Sequence, residues 1–264
     1  MLILQRIGDH LLRWMRVLLR GPQAKPPPWG ADGLTAIALA VAVIVASMFI
    51  LDARASAWAL HLPRWLVAEA DEITNFGLSG YFLYPLGFIL LGLAAIWTPW
   101  LPRGAQGTLA ALSARLGFLF VAIGLPGLFV TIVKRIIGRA RPYVGPQDDP
   151  FAYMPFIWRP EYASMPSGHA TTATAAAIAI GAIWPRMRGV MWIYALVIMS
   201  TRVVINVHHP SDVLAGALVG IVGALMVRRW FAARRLVFSA ADLRAYCWPS
   251  RARMKALGRA LVAG

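Results

Sequence analysis

Long apolar stretches recur along this chain, and a helix that crosses a bilayer needs about 20 mostly apolar residues. Six stretches meet this requirement, at about 33–52, 79–98, 116–134, 168–184, 189–207 and 211–227. Hydrophobic residues make up 59% of the sequence and charged residues only 14%, which is unusual for soluble domains. The sequence therefore predicts an all-α fold, a polytopic membrane bundle of about six transmembrane helices.

The positive charges predict how this bundle is oriented, because Lys and Arg concentrate on the cytoplasmic side of a membrane. With six spans both termini share one side, and that side carries 18 of the 26 Lys and Arg residues. We therefore expect both termini to be cytoplasmic, in the inner membrane of a bacterium. The formal net charge of +15 sits at the ends of apolar segments, so it predicts anionic lipids rather than nucleic acid as partners.

Two basic segments flank the predicted six-span domain, which covers residues 33–230. Residues 1–32 contain a helix that either lies in an anionic membrane interface or packs on the bundle, followed by a stiff proline spacer. Residues 231–264 form a basic cytoplasmic tail, in which Ser239 and Asp242 have the spacing of a helix start. The charged face of the N-terminal helix comprises Arg6, Asp9, Arg13, Arg16 and Arg20.

Three polar motifs adjoin the apolar stretches. Ionisable groups are costly to keep at membrane depth, so they indicate a functional site. In chain order the motifs are Lys134-x6-Arg141-Pro142, Pro166-Ser167-Gly168-His169 and Thr201-Arg202-x5-His208-x3-Asp212. Together they contain three cations, which suit binding of a phosphate group, and two histidines, which suit its cleavage.

The order and spacing of these motifs resemble the type 2 phosphatidic acid phosphatase family, over roughly residues 120–225. The family pattern has serine where this chain has Thr201, and every other motif position matches. Because threonine keeps a hydroxyl, we expect a hydrogen bond from Thr201 to phosphate to survive. The resemblance implies an integral membrane phosphatase that forms a phosphohistidine intermediate. No carboxylate cluster lies near the motifs, so we expect neither a metal nor another cofactor.

The two motif histidines are the candidate catalytic groups. Asp212 could hold one ring nitrogen of His208 and leave the other free to attack phosphorus. Pro210 lies between them, so they either share a helix face or meet through a bent loop. His169 is expected to protonate the departing lipid oxygen and later to activate water, although the two histidine roles could be exchanged.

The remaining polar residues of the motifs are assigned to phosphate binding. A glycine lets the backbone approach an anion, and Ser167 either caps the following helix or binds phosphate. Arg135 and Arg139 match no motif position, so we expect them to contact lipid headgroups. The predicted phosphate ligands are Lys134, Arg141, Ser167, Gly168 and Arg202.

The segment between the first two motifs is rich in aromatic residues. Aromatic side chains are enriched where a membrane meets water, so we expect an interfacial lid or belt here rather than specific recognition. The aromatic residues are Tyr143, Phe151, Tyr153, Phe156, Trp158 and Tyr162.

The predicted substrate is a lipid phosphate or diphosphate, cleaved on the periplasmic side. The resemblance offers undecaprenyl diphosphate, phosphatidylglycerophosphate and lipid A phosphates, and the basic N-terminal segment favours lipid A 1-phosphate. A phosphotransferase acting on lipid A or undecaprenyl diphosphate is an alternative. The intact His208, His169 and Asp212 disfavour a catalytically silent lipid-binding protein. A vanadium haloperoxidase, which has a similar anion pocket, is disfavoured by the apolar spans.

Overall fold

Helices dominate the computed structural model, which describes residues 2–144 and 149–262. Within these ranges no strand is formed, only isolated bridges that join Arg139 to Tyr153 and Phe238 to Ala245. The all-α prediction is therefore confirmed. The helices are α1 Leu2–Leu19, α2 Ala31–Ile50, α3 Asp52–Ala59, α4 Arg64–Thr74, α5 Gly80–Ile96, α6 Arg103–Ile137, α7 Gly168–Ile183, α8 Arg188–Val204, α9 Pro210–Ala233 and α10 Arg251–Val262.

Five helical stretches of the described chain are long and apolar enough to cross a bilayer. They contain α2, α4 with α5, α6, α8 and α9, so the prediction of a multi-pass membrane protein is confirmed. Helix α7, at the position of the remaining predicted span, is apolar but only 16 residues long. The count of six spans and the orientation of the termini stay predictions.

Helix α7 packs closely against α9, which brings the first turns of both helices together. The hydroxyl of Thr171 donates to the carbonyl of Gly216 at 3.0 Å. A Cβ atom at Gly216 would lie 2.3 Å from the carbonyl oxygen of Ser167, and one at Gly220 would lie 2.2 Å from Thr174 Oγ1. These glycines are therefore required for the close approach, as small residues commonly are between membrane helices.

The chain divides into two compact units. One comprises residues 1–27, 82–121 and 226–264, and the other comprises residues 28–81 and 122–225. The second unit contains all three motifs. The prediction of a separate N-terminal segment, a six-span domain and a tail is untested.

The N-terminal helix predicted from the charge pattern is present as α1. His10 is buried and accepts a hydrogen bond from Trp14 at 2.9 Å, while the Arg13 guanidinium stacks 4.0 Å above the Trp97 ring. The side chain of Arg6 lies outside the described part of the chain. Apolar side chains of α1 are exposed as well, among them Leu4 by 77% and Met15 by 54%, so its role at a membrane interface or against the bundle stays a prediction.

The prediction of a helix start at Ser239 is wrong. Ser239 and Asp242 form a turn, in which the backbone amides of Ala241 and Arg244 bond to their side-chain oxygens. These local side-chain bonds compete with helix formation. The tail helix α10 begins only at Arg251, and the last two residues of the predicted tail lie outside the described chain.

Candidate active site

A bent loop between α8 and α9 presents His208. The backbone amide of His208 bonds back to the carbonyl of Arg202 at 3.3 Å, and Asn206 adopts a left-handed φ of 54°. Pro210 then opens α9, where a proline is tolerated because the first helical amides have no partner within the helix. Of the two arrangements left open by the sequence, the structure has the bent loop.

The side chain of Asp212 holds this loop against the start of α9. Its Oδ2 atom accepts the backbone N–H of His209 at 2.9 Å and lies 3.3 Å from His209 Nδ1. Its backbone carbonyl accepts the N–H of Ser167 at 2.9 Å, which joins the second and third motifs. Asp212 is fully buried, so its carboxylate depends on these partners.

Ser164, which the motif analysis did not identify, connects His208 to Asp212. Its hydroxyl donates to Asp212 Oδ2 at 2.6 Å, and its oxygen lies 3.3 Å from His208 Nδ1. The direct distance from His208 Nδ1 to Asp212 Oδ2 is longer, at 3.7 Å. Because the only hydroxyl proton goes to Asp212, the serine oxygen accepts Nδ1–H, and Nε2 of His208 keeps a free lone pair.

The buried position of His208 favours its neutral form. Burial lowers the pKa of His208 to about 4, and the hydrogen bond and negative charge of Asp212 oppose this shift only in part. Nearby Arg202 and Arg141 lower the pKa further. At neutral pH the ring is therefore uncharged, the state in which a histidine can act as a nucleophile.

The three predicted phosphate-binding cations gather around the two motif histidines. Lys134, Arg141 and Arg202 form no ion pair with any described residue. All three act electrostatically on His169, and two of them act on His208. The buried Nε atoms of Arg141 and Arg202 have no hydrogen-bond partner within the described chain. Asp71 acts electrostatically on Arg202 but forms no ion pair with it. Clustered cations with free donors are what an anionic ligand requires.

Arg202, near the end of α8, is held by α4. Its side chain is buried, and its Nη1 atom donates to Thr74 Oγ1 at 2.8 Å. Thr74 ends α4, the helix that also packs on α8. Among the described residues this hydrogen bond leaves other guanidinium donors of Arg202 available, and Asp71 acts on Arg202 without forming an ion pair.

Ser167 precedes α7 but does not cap it, because its side chain forms no hydrogen bond to the helix. The hydroxyl is fully buried and has no partner among the described residues. The space beside Gly168 is open, since a Cβ atom there would meet nothing within 4 Å. Of the two predicted roles of Ser167, the structure therefore contradicts capping and leaves phosphate binding.

His169 lies in the first turn of α7 and is half-buried. Gly77 faces it, since a Cβ atom at Gly77 would lie 3.0 Å from His169 Cδ2 and 2.5 Å from Ile198. His169 interacts electrostatically with Arg202 and His208. The structure therefore brings both motif histidines into one cluster with the cations.

Thr201 does not point its proton at a ligand. Its buried hydroxyl donates to the carbonyl of Ile198 at 2.7 Å, within α8. A phosphate oxygen can only accept, so the one donor of this side chain is already used. The expectation of a hydrogen bond from Thr201 to phosphate is wrong for this arrangement.

The expectation that Arg139 contacts lipid headgroups is also wrong. Its side chain is completely buried and pairs with Asp52 at 2.7 Å and Asp212 at 2.6 Å. Burial lowers the pKa of Arg139, but these carboxylates outweigh that effect and hold the pKa above its ordinary value. Asp52 was missed, although it is an ionisable residue at the end of an apolar stretch, which is a signal of function.

The aromatic segment lies on the surface in part. Phe156 and Trp158 are exposed by 72% and 79%, and Trp158 lies 5.8 Å from the Arg135 guanidinium. Residues 145–148 of this segment lie outside the described chain. A role as a lid or belt at the membrane boundary stays a prediction.

No group of three or more His, Cys, Asp and Glu side chains suited to a metal ion occurs in the ranges that the structure describes. The charged groups around His208 and His169 are mostly cationic side chains. Such groups repel a metal cation and attract an anion.

Comparisons with known proteins point to the same region of the chain. A sequence model of the PAP2 superfamily matches residues 115–236, which carry all three motifs. A lipid A 1-phosphatase of Rhizobium johnstonii is 30% identical over 243 residues, covering 87% of this chain and 90% of that protein. A decaprenylphosphoryl-5-phosphoribose phosphatase of Mycobacterium tuberculosis is 33% identical over 153 residues, or 57% of this chain and 75% of that protein.

A solved structure is similar in fold. The first transmembrane PAP2-type phosphatidylglycerolphosphate phosphatase from Bacillus subtilis aligns with a TM-score of 0.51 at 20% identity. The alignment covers 74% of this chain and 93% of that chain. At this identity the likeness concerns the fold alone.

Proposed function

This chain belongs to the PAP2 superfamily and is a membrane phosphate hydrolase, and we propose that it removes phosphate from a lipid phosphate or diphosphate through a phosphohistidine intermediate. The observation that carries the proposal is the cluster of Lys134, Arg141 and Arg202 around a neutral His208, in which none of the three cations forms an ion pair with a described residue. An anion completes this arrangement, and a free imidazole nitrogen supplies the nucleophile.

The proposed reaction has two steps. Binding of the anionic phosphate offsets the cations that act on His169 and favours its protonated form. In the first step, Nε2 of His208 forms a bond to phosphorus while the bond from phosphorus to the lipid oxygen breaks, and the protonated His169 gives that oxygen a proton. In the second, His169 takes a proton from water, whose oxygen displaces His208 and releases inorganic phosphate. Nδ1–H of His208 bonds to Ser164 throughout, and Asp212 stabilises the positive charge that develops on the ring.

The cations and the start of α7 bind the transferring phosphate oxygens. Arg141 and Arg202 offer planar pairs of donors, whereas Lys134 offers a point charge. The orphaned hydroxyl of Ser167 and the first backbone amides of α7, beside Gly168, supply further donors to an anion. These charges take the place of divalent ions in the proposed mechanism.

Among lipid phosphates, lipid A 1-phosphate is the proposed substrate. The lipid A 1-phosphatase of R. johnstonii is similar over 87% of this chain, whereas the decaprenylphosphoryl-5-phosphoribose phosphatase is similar over 57%. Similarity that extends well beyond the three motifs favours the substrate of the former relative.

The proposed location of the site is the periplasmic face of the bacterial inner membrane. The charge distribution supports it, since 18 of the 26 Lys and Arg residues lie on the side of the termini in a six-span topology. A reporter protein that functions only in the cytoplasm should therefore be active when it is fused to the C-terminus. An active periplasmic reporter at the same point would contradict both the topology and the outward site.

The function is tested by measuring phosphate release from a panel of purified lipid phosphates in detergent. The wild type should release phosphate from lipid A 1-phosphate faster than from undecaprenyl diphosphate or phosphatidylglycerophosphate. His208→Ala should lose turnover and fail to trap acid-labile radiolabelled phosphate, while the exposed-histidine control His61→Ala keeps both. A folded His208→Ala protein with near-normal release would refute the nucleophile assignment, and transfer of phosphate to a second lipid would reveal a phosphotransferase.

A further inference from the structure

Arg139 has no hydrogen-bond donor left for a substrate. Its Nε and Nη2 atoms donate to the carbonyl of Pro150 at 3.0 and 2.8 Å. Nη2 also donates to Asp52 at 2.7 Å, and Nη1 donates to Ser211 and Asp212, both at 2.6 Å. These contacts use all five donors of a guanidinium, so Arg139 cannot serve as a further phosphate ligand.

Asp52 holds both Arg139 and the first turn of α9. Its carboxylate accepts the backbone N–H of Ser211 at 3.0 Å, the Ser211 hydroxyl and Arg139 Nη2. Asp52 is completely buried and lies at the start of α3, far from the motifs in sequence. One carboxylate therefore fixes the residue that precedes Asp212 and the arginine that binds Asp212.

The two oxygens of Asp212 have different partners. Oδ1 accepts from Arg139, and Oδ2 accepts from Ser164 and from the backbone of His209. Occupation of Oδ1 by a fixed guanidinium sets the rotation of the carboxylate, which directs Oδ2 at Ser164. His208 is reached through that same serine, at 3.3 Å.

We propose that Asp52 and Arg139 are a positioning pair that sets the orientation and the charge of Asp212, and through Asp212 the nucleophilicity of His208. The inference rests on the proposed function, in which His208 attacks phosphorus. The pair touches no substrate atom. The single positive charge of Arg139 is shared by two buried carboxylates, Asp52 and Asp212. Of these two, Asp212 is the one connected to His208.

This charge division makes opposite predictions for two variants. Arg139→Gln removes the positive charge that offsets Asp212. The negative charge of Asp212 then acts more strongly on His208 and raises its pKa. Asp52→Asn removes a negative charge, leaves Arg139 entirely to Asp212, and lowers the pKa of His208. The charged or titratable groups around His208 are Asp212, His209, Arg139, Asp52, Arg202, Arg141 and His169.

The experiment compares kcat/KM at about pH 4, the value to which the pKa of His208 is lowered, with kcat/KM at about pH 7. The acidic limb of this profile reports the free His208, and at its pKa the ratio can move in either direction. In Arg139→Gln this ratio should fall several-fold below the wild-type ratio, and in Asp52→Asn it should rise. Both variants should lose about 10- to 100-fold in kcat at neutral pH, with KM changed less than threefold, because no phosphate contact is removed. Arg139→Lys keeps the positive charge, but an ammonium group cannot donate to both carboxylates with the planar geometry of a guanidinium. This variant should therefore lower kcat and preserve the ratio.

Matched controls change the same residue types outside this network. Arg159→Gln and Asp32→Asn alter exposed side chains in the second unit and should keep the wild-type rate and ratio. Equal ratios in wild type, Arg139→Gln and Asp52→Asn, or shifts in the same direction, would overturn the proposal. If Arg139→Gln fails to fold, the other two variants test the proposal. An Asp52→Asn ratio that does not rise would contradict it, and so would an Arg139→Lys ratio that differs from the wild type. Absence of lipid phosphate release by the wild type would instead contradict the proposed function.

Discussion

Replacement of Ser164 by alanine tests the connection between His208 and Asp212. The change removes the hydroxyl that donates to Asp212 Oδ2 at 2.6 Å and that accepts from His208 Nδ1 at 3.3 Å. A hydrogen bond to a charged group is worth about 1.5–3 kcal/mol. Part of this is recoverable, because the direct contact of 3.7 Å between His208 and Asp212 can shorten.

The net loss should therefore be about 1–2 kcal/mol in the transition state, which corresponds to a decrease in kcat of roughly 5- to 30-fold. KM should change little, because Ser164 binds none of the proposed phosphate ligands. Phosphate release is measured over a range of lipid concentrations in detergent, at a temperature where the variant is folded. Ser200→Ala is the matched control, since that exposed hydroxyl bonds to the carbonyl of Leu196 in its own helix.

A kcat of Ser164→Ala within twofold of the wild type would refute the reasoning, because His208 would then be oriented without the serine. A rise in KM at unchanged kcat would also refute it, since that pattern indicates loss of a substrate contact rather than of nucleophile orientation.

Four further outcomes are expected. Arg202→Lys should lose about one to two orders of magnitude in kcat/KM, because an ammonium group cannot replace the paired donors of a planar guanidinium. Full activity of this variant would show that Arg202 gives only general electrostatic support. Thr201→Val should be nearly silent in steady-state kinetics, because its hydroxyl serves Ile198. Since the pKa of His208 is lowered to about 4, the rate should hold as the pH falls from neutral and drop as the pH passes through that value, where the ring becomes protonated. Phosphate release should persist in a metal chelator and be inhibited by vanadate, a five-coordinate phosphate mimic that the cations can neutralise; restoration of lost activity by Mg²⁺ or Zn²⁺ would contradict this.

The sequence predicts the helices well because hydropathy is a local property. Helix α2 spans 31–50 against a predicted 33–52, and α8 spans 188–204 against 189–207. Helix α7 spans 168–183 against a predicted 168–184, but with 16 residues it is shorter than a typical span. Most of its Ala and Thr residues are buried against neighbouring helices, so its environment is largely protein, which hydropathy does not reveal.

The motif residues were also predictable as a set, because their types and spacing report on phosphate chemistry. Their individual partners were not. Thr201 was expected to bind phosphate and bonds to its own helix, while Ser167 was left between two roles that only its unpaired hydroxyl distinguishes. Which acceptor a hydroxyl bonds to depends on the backbone geometry around it, and a motif does not encode that geometry.

The sequence by itself therefore determined the membrane class of this protein, its family and the residue types that gather at its candidate site. Only the tertiary structure decided how that site is supported. Arg139 reaches Asp52 across 87 positions of the chain, and Ser164 reaches Asp212 across 48. No local pattern marks such pairs, because a buried charge or hydroxyl finds its partner through the packing of distant elements.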